Sequence, residues 1–195
     1  IPEIKSGQAL EKIPIFDSKA GWADSVKMLM QNLYEGQNIY FDYSLIRPEG
    51  ARLRTMGGRA SGPAPLIKLH DFLRETMHSA QGRKLTTLEA HDICNQIAEI
   101  VVVGGVRRSS QISLSDLNDQ EMRHAKEWPF PIKRAMANNS AIFKERPSAA
   151  EFLKEWGSLA LSGTGERGIF NLEAAQSKAP SRRYAPLIQG TNPCG

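Results

Sequence analysis

The chain has 195 residues, 41% of them hydrophobic and 24% charged, with no low-complexity segment or internal repeat. That composition belongs to a folded globular protein with a sizeable core and excludes a disordered chain. The longest apolar runs, such as Ile100 to Val103, are too short to cross a membrane, and a formal charge of +4 suits an anionic partner without choosing between nucleic acid, nucleotide phosphates and plain solubility.

The opening IPEIKSGQAL has no basic start leading into an apolar stretch, so no signal peptide is visible. It lacks an initial methionine, which leads us to expect a processed chain or a fragment. Trp22, Val26, Leu29, Met30 and Leu33 recur at helical spacing, and Gly36 is a natural stop. NIYFDYSLI, Asn38 to Ile46, is aromatic and branched and predicts a strand. Pro63 can open a helix at its first turn, continued by Leu66, Leu69, Leu73 and Met77. Thr86 and Glu89 form a capping box for the next helix, with Ile93, Ile97, Ile100 and Val101 on one face and Gly104-Gly105 at its end. SSQISLSDL, residues 109–117, alternates like a half-buried strand carrying Ile112 and Leu114. The charged, proline-bearing stretch from Asp116 to Arg134 reads as a connection, and Asn139 to Phe143 as a short strand. Ser148 and Glu151 form another capping box ahead of Phe152, Trp156 and Leu159, and Gly168 to Leu172 reads as a last strand. This alternation predicts an α/β fold built on a largely parallel sheet or barrel.

Cys94 and Cys194 make no disulfide framework, so a reducing cytoplasm is the expected setting. The histidines at 70, 78, 91 and 124 share no metal-ligand spacing with them, which argues against zinc or another metal site. Cys94 lies beside the apolar stripe of its helix and is expected to be a small buried residue. Basic residues cluster at 52–59, 83–84, 107–108 and 182–183, but aromatics do not interleave with them as a stacking platform requires. Direct nucleic-acid binding is therefore not expected.

TMGGRASGP (55–63), VGGVRRSS (103–110), SGTGERG (162–168) and GTNPCG (190–195) hold more glycine and small polar residues than a helix or strand would choose. Glycine permits close backbone approach, so each can aim N–H groups at an anion, and each also reads as a plain turn. None matches the phosphate-loop or dinucleotide fingerprint. Alone they describe an α/β domain suited to a phosphorylated ligand.

In combination they say more. RPEGARLRTMGGRASGPAPL, GGVRRSSQISLSD, ANNSAIF, SGTGERGIFN and TNPCG, in this order, resemble the catalytic subunit of ribonucleotide reductase. Among its classes the monomeric, adenosylcobalamin-dependent ribonucleoside-triphosphate reductases match best, from about Trp22 to Gly195. The resemblance implies that residues 1–195 are a partial catalytic barrel domain: the first half of a ten-stranded α/β barrel, with the central finger loop beginning about 190. It implies reduction of ribonucleoside triphosphates to 2′-deoxyribonucleoside triphosphates by a thiyl-radical mechanism. Cys194 takes the position of the thiyl-radical cysteine and Asn192 that of the substrate-binding asparagine. A cysteine S–H bond is weak enough to yield a radical, yet strong enough for that radical to take the ribose 3′ hydrogen. Asn192 would hold the sugar against the sulfur. Adenosylcobalamin, bound mostly outside this stretch, would supply the initiating radical by cobalt–carbon homolysis.

By the same resemblance Gly57, Gly58, Arg59, Ala60, Ser61 and Gly62 fall in a substrate-proximal loop leading into an effector-site helix. Gly104, Gly105, Arg107, Arg108 and Ser109 fall in the loop that reports a deoxynucleotide effector to the substrate base, so about 57–110 would hold the effector and specificity elements. Arg107 and Arg108 read equally well as solvated charges beyond a helix C-terminus. Asn138, Asn139 and Ser140 would line the barrel interior, and a thioredoxin-like reductant would be a partner. The family's redox cysteine pair has no counterpart in this sequence, and its acid/base glutamate would follow Gly195. We therefore expect a fragment, inactive and poorly stable alone. The rival readings are a dimeric reductase fed by cobalamin or a radical subunit, and a non-catalytic split or extein piece that needs its other half.

Overall fold

The computed structural model describes residues 1–5, 12–53, 58–103, 110–184 and 187–193. It forms two compact units, Ile1–Ser109 and Ser110–Gly195.

In the first unit β1 (Ile13–Pro14) pairs in parallel with β2 (Phe41–Asp42), and three helices follow: α1 (Lys19–Tyr34), α2 (Ala64–Ser79) and α3 (Thr87–Val103). Ser18 caps α1 by accepting from the Gly21 N–H at 3.0 Å. Gly36 stops it at φ 77°, where a Cβ would lie 2.7 Å from the Glu3 carbonyl oxygen. Pro63 opens α2, whose Leu66, Leu69, Leu73 and Met77 are wholly buried with Leu29 and Leu33 of α1. Each such side chain contributes roughly 1.5–3 kcal/mol of burial. The Thr86–Glu89 capping box forms in both directions, at 2.9 and 3.2 Å.

His70 sits at the centre of this core. Ser25 Oγ gives its proton to the Trp22 carbonyl at 2.7 Å, so His70 Nε2 donates to Ser25 Oγ at 3.2 Å and Nδ1 accepts from the Tyr43 hydroxyl at 2.7 Å. Burial, reinforced by the nearby Arg74 cation, drives the His70 pKa down to about 4 and keeps the ring neutral.

Three readings of this unit are corrected. NIYFDYSLI contributes only Phe41–Asp42 to a strand, because Asp42 accepts from the Ser44 N–H at 2.9 Å and turns the chain out of the ladder. Helix α3 is rotated from the expected phase: Ile93 is buried, but Ile97 and Val101 are exposed, and His91, Asn95 and Gln96 face inward. Asn95 Nδ2 meets His91 Nε2 at 2.8 Å and Gln96 Nε2 donates to Glu99 at 2.5 Å, so these polar groups find partners within the helix. That rotation leaves Cys94 exposed rather than buried.

In the second unit β3 (Gln111–Ser115), β4 (Ala137–Phe143) and β5 (Gly168–Asn171) form an all-parallel sheet in that order. The β3–β4 connection holds a short helix, α4 (Gln120–Arg123), and a 3₁₀ turn over Ile132–Met136. Helix α5 (Ala149–Ser162) crosses from β4 to β5 behind a complete Ser148–Glu151 capping box, and α6 (Leu172–Ser177) follows β5. The sequence reading missed α6, although Asn171 caps it by accepting from the Ala174 N–H at 2.9 Å. Helix α5 also reverses its expected orientation. Phe152 and Trp156 stack on each other in an exposed position, while Glu155 is buried. No helix among the described residues is long and apolar enough to cross a membrane.

Candidate functional site

The first unit carries a hairpin ahead of α2. Ala60 N–H donates to Ala51 at 2.8 Å and Leu53 N–H to Gly58 at 2.9 Å, which makes Arg52 and Arg59 a non-hydrogen-bonded antiparallel pair. Side chains of such a pair are closer than in the alternate type, and like charges directly opposite repel. Both arginines are exposed, with Arg59 Nη1 donating to the Gly50 carbonyl at 3.0 Å. An anion such as phosphate set against the pair would relieve the repulsion. Gly62 closes the hairpin at φ 69°, where a Cβ would stand 2.9 Å from the Glu49 nitrogen, so only glycine lets the chain pass.

In the second unit the chain after α6 returns to the sheet. Register places Ile112 opposite Asn138 and Leu114 opposite Ser140, and Ser140 opposite Gly168. Alternation therefore puts Ile112, Leu114, Asn138, Ser140 and Gly168 on one face. A Cβ on Gly168 would meet Ser140 Oγ at 2.8 Å, so a side chain there would make the Ser140 hydroxyl turn aside. Two hydrogen bonds and one close approach hold residues 188–193. Gln176 Nε2 donates to the Ile188 carbonyl at 2.9 Å, Gly190 lies where a Cβ would be 3.1 Å from Leu114 Cδ1, and Asn138 Nδ2 donates to the Pro193 carbonyl at 2.9 Å.

The other face is held by charge. Arg123 pairs with Glu155 in a fully buried contact. Lys126 pairs with Glu166 at 2.7 Å, and Glu166 also accepts from the Asn139 N–H at 2.7 Å. Arg167 donates to the Ser115 and Asp116 carbonyls at 3.1 and 2.7 Å. Burial lowers the Arg167 pKa from its usual value. In SGTGERG the Thr164 and Glu166 N–H groups go to Ser162 Oγ and Thr164 Oγ1, at 3.2 and 3.3 Å. Arg123, Lys126, Asn139, Glu166 and Arg167 enclose a crevice of about 10 Å³. That is room for one water, and Arg123 Nε, Arg167 Nε and Asn139 Oδ1 are buried beside it without a protein partner.

Of the site residues expected from sequence, Gly58, Arg59, Ala60, Ser61 and Gly62 come together in the hairpin of the first unit, and Asn192 lies exposed in the fastened tail of the second. Gly57, Gly104, Gly105, Arg107, Arg108, Ser109 and Cys194 lie outside the described residues. The anchoring roles of Asn138 and Gln176 were not foreseen. Gln176 sits on the missed helix, and nothing in the period-2 pattern separates an anchoring Asn138 from any outward strand residue.

Residues 5–77 match the family model of the B12-dependent ribonucleotide reductase insertion domain. The chain is 31% identical to the adenosylcobalamin-dependent ribonucleoside-triphosphate reductase of Lacticaseibacillus paracasei, over 97% of its own length and 27% of the relative's. It is 33% identical to the enzyme of that name from Lactobacillus gasseri, over 94% and 26%. It is also 33% identical to the one from Euglena gracilis, over 73% and 20%. A crystal structure of a B-12 dependent (class II) ribonucleotide reductase superposes with a TM-score of 0.78 at 28% identity, covering 98% of this chain and 28% of that one. The chain thus spans about a quarter of the length of the relatives it matches.

Proposed function

The chain belongs, over the stretch it spans, to the B12-dependent ribonucleotide reductases, and from that premise we propose that the whole protein reduces ribonucleoside triphosphates to 2′-deoxyribonucleoside triphosphates in the cytoplasm. The second unit is read as part of the first half of the catalytic barrel, with the finger loop starting near residue 190. The observation that carries this reading is the return of residues 188–193, held at Ile188 by Gln176 and at Pro193 by Asn138 of β4, in a chain similar to these reductases throughout its length.

In this reading the sulfur of Cys194, as a thiyl radical, takes the hydrogen atom from the ribose 3′ carbon. An S–H bond forms, a C3′–H bond breaks, and the unpaired electron moves to the sugar. Asn192 hydrogen-bonds the sugar and holds it in line, a positioning effect. The Arg52–Arg59 pair supplies an anion site for nucleotide phosphates, and the stretch from 104 to 109 carries effector identity to the substrate base. A thioredoxin-like protein returns the electrons. Adenosylcobalamin brings its cobalt already held by the corrin nitrogens, so what it asks of a protein is a wide cleft, and the crevice beside Arg123 has room for about one water. The cofactor is therefore assigned mostly to the part of the protein outside this stretch.

The test is Cys194→Ser in the full-length enzyme. A serine O–H bond is too strong to give the radical, so reduction should vanish while nucleotide binding, measured by calorimetry, stays within a few-fold. Turnover by the serine variant would overturn the reading.

A further inference from the structure

We propose that Asn138 is a positioning residue for Cys194, acting through the Pro193 carbonyl. The inference rests on the reading of Cys194 as the radical-forming cysteine. Asn138 stands on β4 with its side chain exposed on the face that receives the tail, and its Nδ2 donates to the Pro193 oxygen at 2.9 Å. That oxygen belongs to the peptide unit whose nitrogen is Cys194's. A peptide unit is planar, so holding its oxygen restricts the orientation of the whole plane. Proline strengthens the restraint. Its ring fixes φ, and it has no N–H, so the carbonyl is the one backbone group of Pro193 that a side chain can grip by hydrogen bonding.

The neighbouring contacts point the same way. Gln176 holds the Ile188 carbonyl and Leu114 lies close to Gly190, so the tail is already held near the sheet before it reaches Pro193. The Asn138 bond is the last of these contacts, made at the residue directly before the cysteine. Hydrogen-atom transfer demands close, aligned atoms, and a misplacement of about 1 Å can cost on the order of 100-fold in rate. An anchor one residue before the cysteine controls that distance without touching the substrate.

The experiment uses the full-length protein with adenosylcobalamin. Asn138→Asp keeps the shape but loses the N–H donors and sets a carboxylate against the carbonyl. Its kcat should fall about 10- to 100-fold with KM for the nucleotide nearly unchanged, and its thermal midpoint should match wild type. Asn138→Gln, with the donor on a longer arm, should recover part of the loss. A second readout needs neither cofactor nor substrate: the iodoacetamide alkylation rate of Cys194, followed by peptide mass spectrometry, should change in Asn138→Asp. The exposed Cys94 serves as internal reference and should not change. Unchanged kcat and alkylation in Asn138→Asp would overturn the proposal, as would a loss confined to KM, which would mean that the side chain meets the substrate. Cys194→Ser separates the two ideas. If that variant turns over, the cysteine reading itself has failed; if it is dead while Asn138→Asp matches wild type, only the anchor has.

Discussion

The two units are held together by different physics. The first buries Leu29, Leu33, Leu66, Leu69, Leu73 and Met77 completely, a conventional apolar core between helices. The second turns Phe152, Leu153, Trp156 and Leu161 of its long helix outward and, beside Met122, Ala137, Ala141 and Phe143, buries Arg123, Glu155 and Arg167. In an apolar core a truncated leucine costs about 2–5 kcal/mol through lost burial and the cavity left behind. Breaking a buried ion pair costs about as much for another reason, because the remaining charge is stranded in a poor solvent. The second kind of loss should be reversed by removing the other charge too, whereas a cavity is not.

The largest effect tests that difference. Arg123→Ala leaves the Glu155 carboxylate buried and unpaired and should destabilise the second unit by about 3–5 kcal/mol. The double variant Arg123→Met with Glu155→Leu removes both charges and should recover most of that loss. Amide hydrogen exchange, read separately over β3–β5 and over α1–α2, would show whether the change stays in the second unit. If the double variant is no more stable than Arg123→Ala, the contrast between the two cores is wrong.

The first unit has its own polar liability in His70. Its folded pKa of about 4 lies below the ordinary histidine value of 6.5, so the unfolded chain binds the proton more tightly. Stability is full above about pH 6.5 and falls as pH drops toward 4, by about 3 kcal/mol in all. Denaturant midpoints measured across that range should show the fall, and His70→Asn should flatten it. A slope that survives the substitution would assign the titration elsewhere.

A smaller effect belongs to the segment joining α3 to β3. Arg107→Ala or Arg108→Ala in the full-length enzyme should weaken the effector-dependent preference among the four substrates. Coupling of this kind amounts to about 1–3 kcal/mol, roughly 5- to 150-fold. Competition among the four ribonucleoside triphosphates, with each deoxynucleotide effector in turn, reads it directly. Unchanged preferences in both variants would leave these arginines as solvated charges.

Legibility in the sequence follows the same division. Helices α1 and α2 were readable because their inward residues are leucines at helical spacing, with a stop or start marked by Gly36 and Pro63. The parallel sheet was readable from alternation at Ile112 and Leu114 and from the capping box at Ser148. The inward faces of α3 and α5 were not, because what they bury is polar. Periodicity treats His91, Asn95 and Glu155 as surface, and only their partners, distant in sequence for Glu155, explain their burial. The site was legible as motifs, while its anchors were not. That the Asn138 amide meets the Pro193 carbonyl depends on bringing together residues 55 apart.

The finest test lies on α3, where the two ways of reading a helix give opposite answers for one residue. Placed beside the stripe of Ile93, Ile97, Ile100 and Val101, Cys94 would be a buried thiol, and its truncation would cost about 1–3 kcal/mol. In the structure the helix turns His91, Asn95 and Ala98 inward, three positions at the spacing of one face, and Cys94 falls outside it. An exposed side chain in a helix loses almost no burial when shortened, and alanine is the better helix former. Cys94→Ala should therefore change stability by no more than about 0.5 kcal/mol. In the native protein its thiol should react with a thiol reagent at the rate of an open site. Slow labelling that becomes fast only in denaturant, together with a destabilised alanine variant, would restore the buried phase and return Ile97 and Val101 to the core.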